Sequence, residues 1–151
     1  ADTFGRTGGD LASVYRELIA SPETWQGATV KFKSPWDWSI SSLRAIGRRE
    51  MAPMQAANLM VQLGQPVWRP GSPAGYNDIA ATWAAPDALM RRVEIAQRLA
   101  QEAGNAVEPR TLAPIVLPGA LSEATAGAIA RAESRGMALA LLLVSPEFLR
   151  R

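Results

Sequence analysis

Five residues within one short stretch carry most of the chemistry this sequence offers: Trp68, Arg69, Tyr76, Asp78 and Trp83. They sit between Gly64 and Trp83, where Gly64, Pro66, Pro70, Gly71, Pro73 and Gly75 rule out a regular helix. Connections this long inside a compact domain are uncommon and are often functional or packed as an Ω-loop. One reading is an aromatic-lined groove: flat rings stack on a sugar or a peptide while Arg69 and Asp78 fix its polar groups. The other reading uses the rings for packing, each burying ~150–250 Å² to pin an irregular loop onto helices. Two rings exposed on one concave surface would favour the first; three buried rings would end it.

The chain has no histidine and no cysteine. Those side chains supply most general bases near neutral pH, most thiol nucleophiles and most transition-metal ligands. A Cys–His pair, a Ser–His–Asp triad, a histidine-based zinc or haem site and a disulfide framework are therefore excluded. Carboxylate chemistry needs two acids facing across a cleft, and Asp78 with Asp87 is the pair that flanks the aromatic loop. Asp87 follows Pro86 at a helix start, where compensation of the helix dipole already accounts for it. The sequence leans away from an enzyme and implies no cofactor and no metal.

Trp36 and Trp38 flank Asp37 at another helix start, about 200° apart on the helix surface. One ring must enter the core while the other faces out; the apolar stripe favours Trp36 inside, leaving Trp38 as a surface anchor or a ring covered by a neighbouring loop. The paired arginines Arg48–Arg49, Arg91–Arg92 and Arg150–Arg151 read as solvated helix faces or partners of helix C-termini. Gly5 to Gly9 holds three glycines but lacks the Lys-Ser/Thr of a phosphate loop, and reads as a flexible entry to the first helix.

Helices must position these groups, since nearly every periodic segment repeats at helical spacing. Leu11, Val14, Tyr15, Leu18 and Ile19 form one stripe behind Asp10 as N-cap. A second helix runs from Pro35 to about Ile46 behind Ser34, with Asp37 placed to close a capping box, and its inward face is Trp36, Ile40, Leu43 and Ile46 or Gly47. Pro53 starts a third, carrying Ala56, Leu59, Met60 and Leu63 up to Gly64. Pro86 starts the longest, with Leu89, Val93, Ala96, Leu99 and Ala103 as its stripe and Gly104 as its stop. Ser122 caps a helix to about Arg135, and Gly136 separates it from a short, all-round apolar helix, Met137 to Val144. Only 28–32 and 115–117 suggest strands. Leu18-Ile19-Ala20-Ser21-Pro22-Glu23-Thr24-Trp25 is echoed by Leu142-Leu143-Val144-Ser145-Pro146-Glu147-Phe148-Leu149 as a reused helix ending with an aromatic folded back.

At 151 residues, 48% apolar and 20% charged, the chain fits one globular domain. Fourteen arginines and two lysines against fourteen acids leave a net charge of only +2. With the cations scattered, no basic stripe for nucleic acid forms. No run approaches the ~18 apolar residues of a membrane span, so the chain reads as soluble. Its beginning lacks a basic-then-apolar signal pattern. The compartment is left open.

Several stretches in order resemble the C-terminal part of the bacterial domain-of-unknown-function 1800 family. They are Lys31-Phe32-Lys33-Ser34-Pro35, Ser42-Leu43-Arg44-Ala45-Ile46-Gly47, Leu63-Gly64-Gln65-Pro66, Pro70 to Tyr76, Ala80 to Trp83, and Leu143 to Arg151. The likeness fades between Val107 and Pro118. It implies a largely helical bacterial protein of which this chain is the last portion, and it carries over no catalytic residue.

The expectation is an all-α, compact, irregular bundle of six or seven helices over 1–151, with one long Pro/Gly/aromatic loop. Its expected role is a structural or protein-interaction module of a larger protein, partnered by the rest of that protein or by another one. The alternative is an enzyme or a carbohydrate- or peptide-binding domain using the loop at 64–83. A fragment separated from its neighbour would expose an unusually large apolar patch.

Overall fold

A computed structural model describes residues 1–25 and 31–151, and among them it is all-helical. The α-helices are α1 (Asp2–Arg6), α2 (Leu11–Ala20), α3 (Pro35–Ala45), α4 (Pro53–Gln62), α5 (Ala80–Trp83), α6 (Pro86–Ala103), α7 (Pro109–Val116), α8 (Glu123–Arg131) and α9 (Arg135–Leu143), with a 3-10 turn over Pro22–Trp25. The expected six or seven helices thus become nine among the described residues, because α1 and α5 are single-turn pieces and α7 falls where a strand was suspected. No helix among the described residues is long and apolar enough to cross a membrane.

Start signals read from the sequence operate as expected. The Asp10 carboxylate accepts from Ser13 N, Ser122 caps α8 through Thr125 N, and Ser34 and Asp37 close a full capping box on α3. Proline occupies the first turn of α3, α4, α6 and α7, where its missing N–H costs no intrahelical bond.

The core is built around α9, whose Ala138, Leu139, Ala140, Leu142 and Leu143 are all buried. A helix apolar on every side belongs in the interior, and α6, α7 and α8 pack on it. α4 adds Leu59, Met60 and Leu63 to the same cluster. Gly136 lies inside α9 and not before it; the break falls earlier, at Ala132, and Ser134 supplies the new cap. The Ile115–Leu117 stretch is the end of α7 and its C-cap. Of the other strand candidate, residues 28–30 lie outside the described residues, while Phe32 forms an antiparallel bridge with Arg150. Lys31 N donates to Arg151 O at 3.2 Å, Arg151 N to Lys31 O at 2.8 Å and Lys33 N to Leu149 O at 2.8 Å.

Two expectations about which face turns inward are corrected. Trp38 is fully buried, with Nε1 donating to Leu143 O at 2.8 Å, whereas Trp36 is 52% exposed. The face that α3 buries is Pro35, Trp38, Ser39 and Ser42: small serines let the helix approach closely, and one indole fills the space between. Arg92, expected on a solvated face, is 1% exposed. Its guanidinium stacks over Phe32 at 4.8 Å and Trp38 at 5.8 Å and donates to Lys33 O at 2.9 Å. One of its nitrogens, Nη1, has no partner among the described residues. Burial pulls its pKa down to about 10, which leaves it charged at neutral pH. With Arg92 inside, the buried face of α6 is Arg92, Ile95, Ala96, Leu99 and Ala100; Ala96 and Leu99 of the expected stripe are buried, and Leu89 and Ala103 are half-buried against the core.

Residues 1–25 stand apart from this core. The stripe of α2 forms as expected, yet α2 buries no residue: Leu11, Tyr15, Leu18 and Ile19 are 57–60% exposed. α1 meets the opposite, polar side of α2, where Thr3 and Arg6 face Ser13 and Arg16 across a shallow cavity. The echoed helix endings share one backbone bond, Ser21 N to Leu18 O and Ser145 N to Leu142 O, but not their side-chain bonds or surroundings. In the second, Ser145 Oγ accepts from Phe148 N at 3.2 Å and the Phe148 ring is buried. In the first, Trp25 Nε1 reaches back to Ile19 O at 2.6 Å while its ring stays 69% exposed.

Candidate functional site

The long connection begins where α4 stops. Gly64 takes φ +82°, and Gln65 N donates back to Met60 O at 2.9 Å, an αL ending that turns the chain off the helix axis. Gln65 then accepts from Trp36 N at 2.9 Å, tying the loop to the start of α3. The Tyr76 hydroxyl donates to Pro66 O, which closes the loop on itself, and Lys31 pairs with Asp78 at 2.5 Å. The chain re-enters helix at α5, where Trp83 is buried.

The structure brings two of the five candidate residues together. Tyr76 and Trp83 lie with ring centroids 6.1 Å apart at 54°, and both line a cavity of about 480 Å³ between the loop and α6. Across it stand Asp87 and Arg91, an (i, i+4) ion pair at 3.2 Å. Asn77 and Thr82 add an amide and a hydroxyl. Trp68, Arg69 and Asp78 do not line this cavity. Asp78 is held by Lys31 outside it, so the acids Asp78 and Asp87 do not face one another across this cleft.

Trp68 is placed differently. Its indole is 94% exposed and its backbone sits at φ +58°, a left-handed conformation that L residues adopt at a cost of ~1–3 kcal/mol when the surroundings impose it. Val67 beside it is also exposed, as is Arg69. Of the three rings in the loop, one is therefore open, one half-buried and one buried.

Sequence reading missed Arg91, Asn77 and Thr82 as lining residues; the Asp87–Arg91 spacing, one helical turn beyond the loop, was the available signal for the first. It also took the α2 stripe as a sign of a helix without asking what would cover it. That face is exposed along its length, and Trp25, bonded to Ile19 O, is exposed beside it.

The nearby ionisable groups are set by local contacts. Lys33 lies over the Phe148 ring at 4.3 Å, and burial lowers its pKa, with Asp37 opposing and Arg151 and Arg92 adding to the effect. Burial pushes the Glu147 carboxyl up, but hydrogen bonds involving Ser122, its own backbone and Thr125 outweigh this and hold it below the usual carboxylate range.

No curated protein and no solved structure matches this chain. A family model does, described as a protein of unknown function (DUF1800), and it spans residues 1–150, including the 107–118 segment where the motif likeness fades. The chain therefore belongs to the DUF1800 family.

Proposed function

We propose that this chain is a structural and protein-interaction module whose working surface is the apolar face of α2. The observation that carries this reading is a ten-residue helix with a continuous apolar stripe and no buried residue. An unpartnered amphipathic helix of this kind is the usual donor in helix-in-groove recognition, and exposed apolar patches of this size mark interaction sites more often than bare surface. The occupant is protein: the remainder of a parent chain or a separate one. Trp68, exposed beside Arg69, supplies a second anchor of the residue types that dominate binding hot spots.

The test is a triple variant, Leu11→Ser, Leu18→Ser and Ile19→Ser, unfolded in urea at a concentration where the chain is a monomer by mass. If the stripe faces outward, the unfolding free energy changes by about 1 kcal/mol or less, as exposed substitutions do. A loss of several kcal/mol, the size expected for buried leucines, would mean the stripe belongs to the chain's own core and would sink the proposal.

A second reading is favoured by one specific observation, the pairing of Tyr76 and Trp83 on a cavity with Arg91 and Asp87: a small carbohydrate or peptide bound in that cleft. Titration with neutral oligosaccharides and short peptides, followed by tryptophan fluorescence, should then saturate, and Tyr76→Ala should weaken binding about tenfold, the loss of one stacking contact. A flat titration removes this reading.

A further inference from the structure

The cleft between the long loop and α6 is polar yet electrically neutral. Among the described residues, Asp87 and Arg91 are the only charged side chains that line it, and they pair with each other at 3.2 Å. Arg69 and Asp78 stand outside the lining, the latter held by Lys31. An anion entering here meets the Asp87 carboxylate and a cation meets the Arg91 guanidinium. Neither finds an unpaired opposite charge to offset the repulsion.

Its uncharged polar groups have hydrogen-bonding capacity to spare. The Asn77 amide and the Thr82 hydroxyl line the cleft and have no side-chain hydrogen bond among the described residues. The Ser72 hydroxyl accepts from Ala74 N at 3.2 Å, which leaves its own proton to donate. Of the two lining rings only Tyr76 has open area, because Trp83 is buried. Tyr76 is fixed at both ends, by its hydroxyl on Pro66 O and by the Trp83 ring 6.1 Å away. A ring already held in place loses little freedom when a ligand settles on it.

We propose that this cleft takes a neutral sugar, a hexose or its disaccharide bearing neither carboxylate nor amine. This rests on the reading of the cleft as a small-ligand site and names the class of ligand. Tyr76 receives one apolar face of the pyranose ring. A hydroxyl is donor and acceptor at once, so neighbouring hydroxyls donate to Asp87 and accept from Arg91 without separating the pair. Ser72, Asn77 and Thr82 serve the rest of the rim. The volume of about 480 Å³ lies within the roughly 300–1,000 Å³ of small-molecule sites. A peptide is served less well. Extended peptides add to a sheet edge, and proline-rich ones lie in an aromatic-lined groove. The β-bridge among the described residues, Phe32 with Arg150, involves no residue of the cleft, and one open ring makes no such groove.

Isothermal titration calorimetry of the 151-residue chain tests this. The probes are glucose, galactose and mannose, their disaccharides, the uronic acid and amino sugar of each hexose, and a proline-rich peptide. The expected result is saturable binding of a neutral sugar, about fivefold tighter than its charged counterparts, the size of an exposed charge contact. Asn77→Ala, at an exposed position, should weaken that sugar about fivefold through one lost hydrogen bond. Asp87→Asn leaves Arg91 unpaired, so the uronic acid should then bind at least as well as the neutral hexose. Tighter binding of a uronic acid, an amino sugar or the peptide, weakened by Tyr76→Ala or Asn77→Ala, overturns the neutral sugar and leaves the cleft as a small-ligand site. Discrimination unchanged by Asp87→Asn also overturns the proposal. A panel without binding, or binding indifferent to both Tyr76→Ala and Asn77→Ala, removes the proposal and the cleft reading together.

Discussion

Trp38→Ala is expected to lower the unfolding free energy by about 4 kcal/mol, within the range for deleting a buried aromatic ring. The ring has no exposed surface, lies beside Arg92 and spans the gap between α3 and α9. Its loss leaves a cavity against the most buried helix of the molecule and removes the donor to Leu143 O. A buried acceptor left without its partner adds about 1–3 kcal/mol on its own. Trp36→Ala, two residues away, should cost about 1 kcal/mol or less, since half of that ring already faces water. Urea unfolding of the two variants side by side decides the matter: similar losses would mean that the orientation of α3 described above is wrong.

The second large effect is expected at Arg92, and its size depends on the replacement. A guanidinium whose pKa burial draws down to about 10 costs the folded state roughly 3 kcal/mol at neutral pH. Because the folded pKa lies below the unfolded one, the unfolded chain holds the proton more tightly, and stability rises with pH only above about 10, until the unfolded chain gives up its proton as well. Below that window the cost is constant. It is offset by stacking on Phe32 and Trp38 and by the bond to Lys33 O. Arg92→Met keeps most of the volume and removes the buried charge along with its unpaired nitrogen, so its stability should lie within about 1 kcal/mol of the parent. Arg92→Ala opens a void between α6, Phe32 and Trp38 and should cost about 3 kcal/mol. If methionine proved as damaging as alanine, the charge itself would be contributing a contact that the geometry does not account for.

Helix starts were legible because they are local: Asp10, Ser34 with Asp37, Ser122 and the prolines at 35, 53 and 86 act on backbone groups within four residues. Inward faces were less legible. On α3 the apolar count pointed to Trp36 and Ile40, but the small Ser39 and Ser42 and the reach of one indole to Leu143, more than a hundred residues away, decide which side packs. At Arg92 a cation is buried because two rings from separate parts of the chain meet there, and no spacing along α6 announces that. α7 was hidden by its interior Pro114 and by an apolar Ile-Val-Leu run that reads equally well as a strand. In the loop, prolines and glycines announced the irregular span and its ends. Which of its rings is open was set by tertiary neighbours: Trp83 is buried against the α6 side, while Trp68 has nothing over it.

The pairing of residues 149–151 with 31–33 has a consequence for how this body could be rewired. Arg151 and Lys31 exchange both of their backbone hydrogen bonds, the arrangement that closes a β-hairpin. A two-residue turn joining them would therefore complete a hairpin without moving either segment. The order in which the helices follow one another is then separable from the shape they make. A circularly permuted body, begun in the exposed 104–106 connection and running through 151 into 31, would retain every core contact of α3 to α9 while releasing α1 and α2 from the front of the chain.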